Sequence, residues 1–175
     1  MTRTITRSDG IGADTTRLQE LYRRPGFMIR RCHQIAVSVF ANECREVDLT
    51  TTQYGILFVL SHYPGIDQIS LARLLSLDRS TTGMVVARLE ERGLLRRTTD
   101  ARDKRKRVLH LTPAAEKLLV RVQSDVRRAQ ERLLAPFTAA ERKTLLDLLA
   151  RLIDADQPQD PRDSQPVPAF EETGG

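Results

Sequence analysis

The stretch LDRSTTGMVVARLEERGLLRRTTDARDKRKRVLHLTP, Leu77 to Pro113, changes its period halfway. Asp78 can cap a helix over Arg79 to Arg92, and Gly93 supplies the stop. After Gly93 the apolar spacing falls from 3.6 to 2. Leu94-Leu95-Arg96-Arg97-Thr98 and Val108-Leu109-His110-Leu111 then read as two short strands joined by a charged loop, Thr99 to Arg107. Thr112 and Pro113 open the next helix, as an N-cap and a first-turn proline. Between Arg96 and Arg107 stand seven basic residues against two acids, Asp100 and Asp103, a balance of +5 that equals the net charge of the whole chain. A chain with pI near 9.7 and its excess charge in one loop points to a polyanionic partner at that loop.

Upstream, Asp67 caps a short helix over Ile69 to Leu75, so two helices meet across a tight turn before the hairpin. Thr50-Thr51-Thr52 offers caps for a helix running to about His62, closed by Pro64-Gly65. Before it, Phe27, Ile35, Val39 and Cys44 mark a long first helix from Phe27 to Val47, with Pro25-Gly26 as punctuation. Downstream, Leu118, Val122, Val126, Ala129 and Leu133 form one stripe of a helix of about twenty residues. The capping box Thr138-Ala139-Ala140-Glu141 starts a last helix to about Ala155, with Leu145, Leu148, Leu149 and Leu152 facing inward. Residues 1–16 read as a disordered arm, and residues 156–175, with five acids against one arginine, as a disordered acidic tail. Between them, 17–155 reads as one domain, mainly α with a small β element.

No apolar run has the length of a signal peptide core or a membrane span, so the expectation is a cytoplasmic protein without a membrane partner. No metal-ligand spacing, glycine-rich phosphate loop or nucleophile elbow occurs, and neither an enzyme nor a cofactor is expected. Cys32 and Cys44 are twelve apart, about 120° around a helix, too divergent for a local pair. They read as small buried hydrophobes, with a redox-sensing thiol as the alternative.

On a helical wheel Thr82, Val85, Val86 and Leu89 of the 79–92 helix share one side. Ser80, Gly83, Met84 and Ala87 share the other, flanked by Thr81 and Arg88. A free face of small groups, hydroxyls and an arginine suits the major groove of DNA, whereas a solvated face would carry Glu and Lys. The basic hairpin can then follow phosphates or enter a minor groove. A membrane-surface role for the loop leaves that small polar face unexplained, and a helical enzyme leaves the loop without purpose.

Together with that layout, the strings LTTTQYGILFVL, LARLLSLDRSTTGMVVARLEERGLLRR, DARDKRKR and LHLTPAAEKLL resemble the MarR family of winged helix-turn-helix regulators over about Phe27 to Ile153. The resemblance implies a homodimer in which residues 17–49 and 113–155 supply dimerisation helices. It also implies that 50–112 forms the DNA-binding lobe, set on a pseudo-palindromic operator, with repression relieved by a small aromatic ligand. It places recognition-helix contacts at Ser80, Thr81, Gly83, Met84 and Arg88, and wing contacts at Arg102, Lys104 and Arg105. Many members carry a hydroxyl and a basic residue where this chain has Gly83-Met84, so here the backbone at Gly83 should approach the DNA and Met84 should meet a thymine methyl. Ala115 stands where glycine is common, a harmless change inside a helix. Asp103 either holds Arg105 or another wing arginine by an ion pair or builds the turn.

Tyr54, Phe58 and His62, at i, i+4 and i+8, form a stripe that is ordinarily core. The resemblance puts it beside the cleft where ligands of the family bind. The first helix adds Arg30, Arg31, His33 and Gln34, and a cation among aromatic rings suits an aromatic carboxylate. The segment RRPGFMIRRCHQIAVSVF also resembles a subgroup tied to aromatic-acid catabolism, including sensors of hydroxylated nicotinic acid. A thiol-based repressor using Cys32 or Cys44 is the rival mechanism.

Overall fold

The computed structural model describes residues 18–101 and 103–155. The arm, the acidic tail and Arg102 lie outside the described residues. After a helical stretch at 18–23 come α1 (Pro25–Glu43), a 3-10 turn (Arg45–Val47), α2 (Thr51–His62), β1 (Ile66–Asp67), α3 (Gln68–Leu74) and α4 (Arg79–Glu91). They are followed by β2 (Leu95–Thr99), β3 (Arg107–Leu111), α5 (Pro113–Leu134) and α6 (Ala139–Ala155).

The first helix differs from its expected bounds at both ends. Pro25 is its first residue rather than a break before it, because the fixed φ of proline suits the first turn and the missing N–H has no partner there anyway. It stops at Glu43, and Asp48, at φ 47°, turns the chain toward α2. Arg92, at the end of α4, donates to the Asp48 carbonyl at 2.8 Å, which ties that corner to the helix-turn-helix. Thr50 and Gln53 then close a reciprocal capping box, with backbone-to-side-chain distances of 3.1 and 3.2 Å.

A third strand joins the hairpin. Ile66 and Asp67 pair antiparallel with Leu109 and Val108, giving the order β1-β3-β2. Two residues are too few for a periodic signal, and only the β3 edge completes the pairing. The sheet core and the helix-turn-helix share one apolar cluster that includes Leu57, Leu60, Leu71, Val86, Leu89, Leu95 and Leu109. Ala115 and Val122 of α5 close it, and the Ala115 methyl is fully buried. The outward and inward faces of α4 divide as the wheel predicts: Thr82, Val86 and Leu89 are buried while Ser80, Met84 and Arg88 are exposed.

The last helix corrects the sequence reading. Leu145 is half-buried, but Leu148, Leu149 and Leu152 are 53%, 42% and 54% exposed, and no residue of α6 is buried. The stripe exists, yet the described residues of the chain do not cover it.

Asp67 caps α3 by accepting from the backbone N–H groups of Ile69 and Ser70 at 2.9 and 3.0 Å and from the Ser70 hydroxyl at 3.0 Å. Partial burial raises its carboxyl, but the hydrogen bonds from Ser70 and Ile69, with the charge of Lys106, outweigh this and hold it below its ordinary value. A depressed pKa means the contribution is present above the unfolded carboxylate value and is lost as pH falls through the folded one. Asp67→Ala is expected to cost about 0.5–2 kcal/mol in urea unfolding at neutral pH, and the difference from wild type should shrink in acid.

Candidate nucleic-acid interface

The start of α4 is built by Asp78, whose carboxylate accepts the Thr81 backbone N–H at 2.8 Å and the Thr81 hydroxyl. Those bonds hold the Asp78 carboxyl below its ordinary value, the Thr81 hydroxyl contributing most. The Thr82 hydroxyl is turned inward onto the Asp78 carbonyl at 2.9 Å. Of the expected contact residues, Ser80, Met84 and Arg88 are exposed, and Gly83 and Thr81 are half-buried. Met84, at 66% exposure, is an apolar side chain held out in solvent. Glu90 is drawn away from that face: it accepts the Arg97 backbone N–H at 3.2 Å and lies 3.6 Å from the Arg97 guanidinium.

The wing tip is made by its two acids. Asp100 accepts the Asp103 N–H at 2.9 Å, and Asp103 accepts the Arg105 N–H at 2.9 Å. Backbone bonds from Lys106 to Asp103 and from Asp100 to Lys106, at 2.9 and 3.0 Å, lock the loop. For Arg105, then, the structure shows turn chemistry at Asp103, and the Arg105 side chain stays exposed with Lys104, Lys106 and Arg107. Arg102, the remaining expected wing contact, lies outside the described residues. Strand β2 pairs with β3 from Leu95↔Leu111 to Thr99↔Arg107, which carries the cationic loop out beyond the sheet.

The aromatic stripe of α2 is extended by the first helix. Phe40, Tyr54, Phe58 and His62 form a ladder with ring centroids 5.7, 5.8 and 4.5 Å apart. Tyr54 packs against the core, and burial pushes its phenol up, with a smaller contribution from Cys44. His62 at the other end is exposed, its Nδ1 2.9 Å from the Phe58 carbonyl oxygen. The same nitrogen lies 3.0 Å from the Ser61 hydroxyl, which itself donates to the Phe58 carbonyl at 2.7 Å. Arg30, Arg31 and His33 are exposed on α1, and Arg31 lies over the Tyr22 ring at 5.3 Å. From the first helix it is Phe40 that stacks against Tyr54.

The cysteines separate in a way their spacing did not show. Cys44 is buried, and burial together with Asp125 and Glu43 pushes its thiol up, the opposite of what an oxidant sensor needs. Cys32, expected to be buried, is exposed. Beside Cys44, Glu43 of α1 bonds Arg132 of α5 at 2.8 Å and Arg128 at 3.4 Å, which joins the two long helices in a polar cleft of about 520 Å³. Among the described residues no cluster of His, Cys, Asp and Glu could hold a metal ion, and no helix is long and apolar enough to cross a membrane.

Comparison with known proteins gives the same frame. The MarR family model matches residues 49–106, from just before the N-terminal cap of α2 to the end of the wing loop, short of β3. A putative transcriptional regulatory protein for the hcr operon of Thauera aromatica is 38% identical over 132 residues, 75% of this chain and 80% of its own length. The repressor CouR, solved on a 23-mer DNA duplex, superposes with a TM-score of 0.71 at 30% identity, over 77% of this chain and 95% of its own. The Bordetella bronchiseptica protein BpsR, whose DNA binding is regulated by 6-hydroxynicotinic acid, superposes with a TM-score of 0.73 at 26% identity, over 77% of this chain and 96% of its own.

Proposed function

The chain belongs to the MarR family of transcriptional regulators, and from that membership we propose that it is a homodimeric repressor of a pseudo-palindromic operator, released by a small aromatic carboxylate. The observation that carries the DNA-binding part is the pairing of an exposed face with Ser80, Met84 and Arg88 on α4 with a wing whose Lys104 and Arg105 stay exposed. Ser80, Thr81, Gly83, Met84 and Arg88 enter the major groove, and Arg102, Lys104 and Arg105 meet phosphate or a minor groove.

The dimer is supported by exposed apolar side chains at both ends of the described chain. Leu18, Leu21, Met28 and Ile29 lie at one end, and Leu148, Leu149, Leu152 and Ile153 at the other. Exposed apolar side chains, gathered into a contiguous patch, mark a protein–protein surface.

The effector reading rests on the half-exposed aromatic ladder and on BpsR. Tyr54, Phe58 and His62 stack on the ring, while Arg30 or Arg31, with His33, faces the carboxylate from the first helix. A ligand that prefers the free geometry weakens DNA binding by the factor by which DNA weakens the ligand. It should also raise the melting temperature, because it binds the folded dimer and not the unfolded chain. Thermal-shift screening of hydroxybenzoates, cinnamates and hydroxynicotinates tests this. A hit should stabilise wild type more than His62→Ala and weaken operator binding. Equal stabilisation of both proteins, or no shift with any acid, would overturn the pocket.

Gel shifts with random duplex at two salt concentrations test the DNA-binding part, since an interface of phosphate contacts loses affinity steeply with salt. Met84→Ala is expected to relax preference at one base step while leaving overall binding in place, as read by competition with single-step operator variants. Equal loss on every sequence would instead make Met84 a packing residue.

A further inference from the structure

Position 83 lacks a side chain on the face of α4 that is otherwise free, yet Gly83 is half-buried between exposed Ser80 and Met84. Its nearest neighbour outside α4 is Gln68, the first residue of α3. A Cβ built on Gly83 would lie 3.4 Å from Nε2 of Gln68, so the Gln68 carboxamide occupies the space beside that face which a side chain at 83 would claim. The Gln68 side chain makes no hydrogen bond among the described residues, whereas its sequence neighbours Asp67 and Ser70 are engaged with each other. An amide with both N–H donors and its carbonyl acceptor unspent, beside a groove-reading face, is free to bond an outside partner.

We propose that Gln68 is a specificity-determining residue that reads one adenine in each half-site, in place of the side chain that Gly83 does not have. This rests on the DNA-binding reading above. Adenine offers N7 as acceptor and N6–H as donor in the major groove, and a carboxamide meets both at once. A Cβ at 83 meets the amide at ordinary contact distance, so only a side chain longer than a methyl displaces it.

The test is selection of bound sequences from a random duplex library with wild type, Gln68→Ala and Gln68→Glu, each first checked for an unchanged melting transition. Wild type should enrich an adenine at one symmetric pair of positions by about 5- to 150-fold over the other bases. Gln68→Ala should lose that preference alone, with the salt slope unchanged. Gln68→Glu should move it toward cytosine, whose N4–H suits a carboxylate. Identical base preferences in wild type and Gln68→Ala overturn the proposal, as does a loss of affinity spread evenly over all sequences, which marks a phosphate contact. A wild-type protein that enriches no sequence overturns the DNA-binding reading itself and this inference with it.

Discussion

A chain carrying Leu149→Asp and Leu152→Asp is expected to elute and scatter as a single chain of 19.8 kDa and to lose about 10²- to 10⁴-fold in operator affinity. The two leucines are 42% and 54% exposed and nothing on α6 is buried, so aspartate there disturbs little inside the subunit. The far-ultraviolet helical signal should therefore survive. In an interface the same carboxylates would have to leave water against apolar partners, at several kcal/mol each. In the proposed dimer each subunit presents one recognition helix, so a lone half-site forgoes the effective concentration that linkage provides. A two-chain mass in the variant at micromolar concentration would remove the C-terminal helix from the interface.

The second large effect lies in the wing. Replacing Arg102, Lys104 and Arg105 together by alanine removes three cations from each subunit without touching the sheet core at Leu95, Val108 and Leu109. If each meets a phosphate, the dimer loses about six contacts, and the slope of log affinity against log salt should flatten by about five. The fall of about 10³-fold that such contacts produce between 50 and 200 mM salt should then largely disappear. Should the loss be greater on A·T-rich flanks than elsewhere, one of the three enters a narrow minor groove. An unchanged slope would show that the wing is not a DNA element. The loop itself should hold its shape, because its geometry is set by Asp100 and Asp103 through backbone N–H groups.

The local punctuation was legible in the sequence. Asp67, Asp78, Thr112 and Thr138 each cap the helix that follows them, because a short polar side chain can satisfy an orphan N–H using only residues within a turn of itself. The split of α4 into a packed and a free face was legible for a similar reason, since helical periodicity alone decides which residues share a side. Likewise the concentration of charge between Arg96 and Arg107 is a property of the chain and needs no fold to be seen.

What depends on distant partners was not legible. The two-residue strand β1 exists only because the β3 edge is there to pair with it, and Ile66-Asp67 carries no pattern of its own. Cys32 and Cys44 look alike in sequence, but Cys32 sits on an exposed face midway along α1, while Cys44 at its C-terminal cap joins the core cluster with Tyr54, Ala115 and Val122. The leucine stripe of α6 announces burial without saying in what. Its exposure in the folded subunit shows that periodicity reports that a face is apolar, while only the packing of whole helices decides whether the chain itself can cover it. Gln68 is the sharpest case: eleven residues before the recognition helix begins, it carries no motif, and only the crossing of α3 over α4 sets its amide beside Gly83. Capping, periodicity and charge act over a few residues and are written in the chain. Which surfaces meet depends on how helices pack in three dimensions, and that the tertiary structure alone decided.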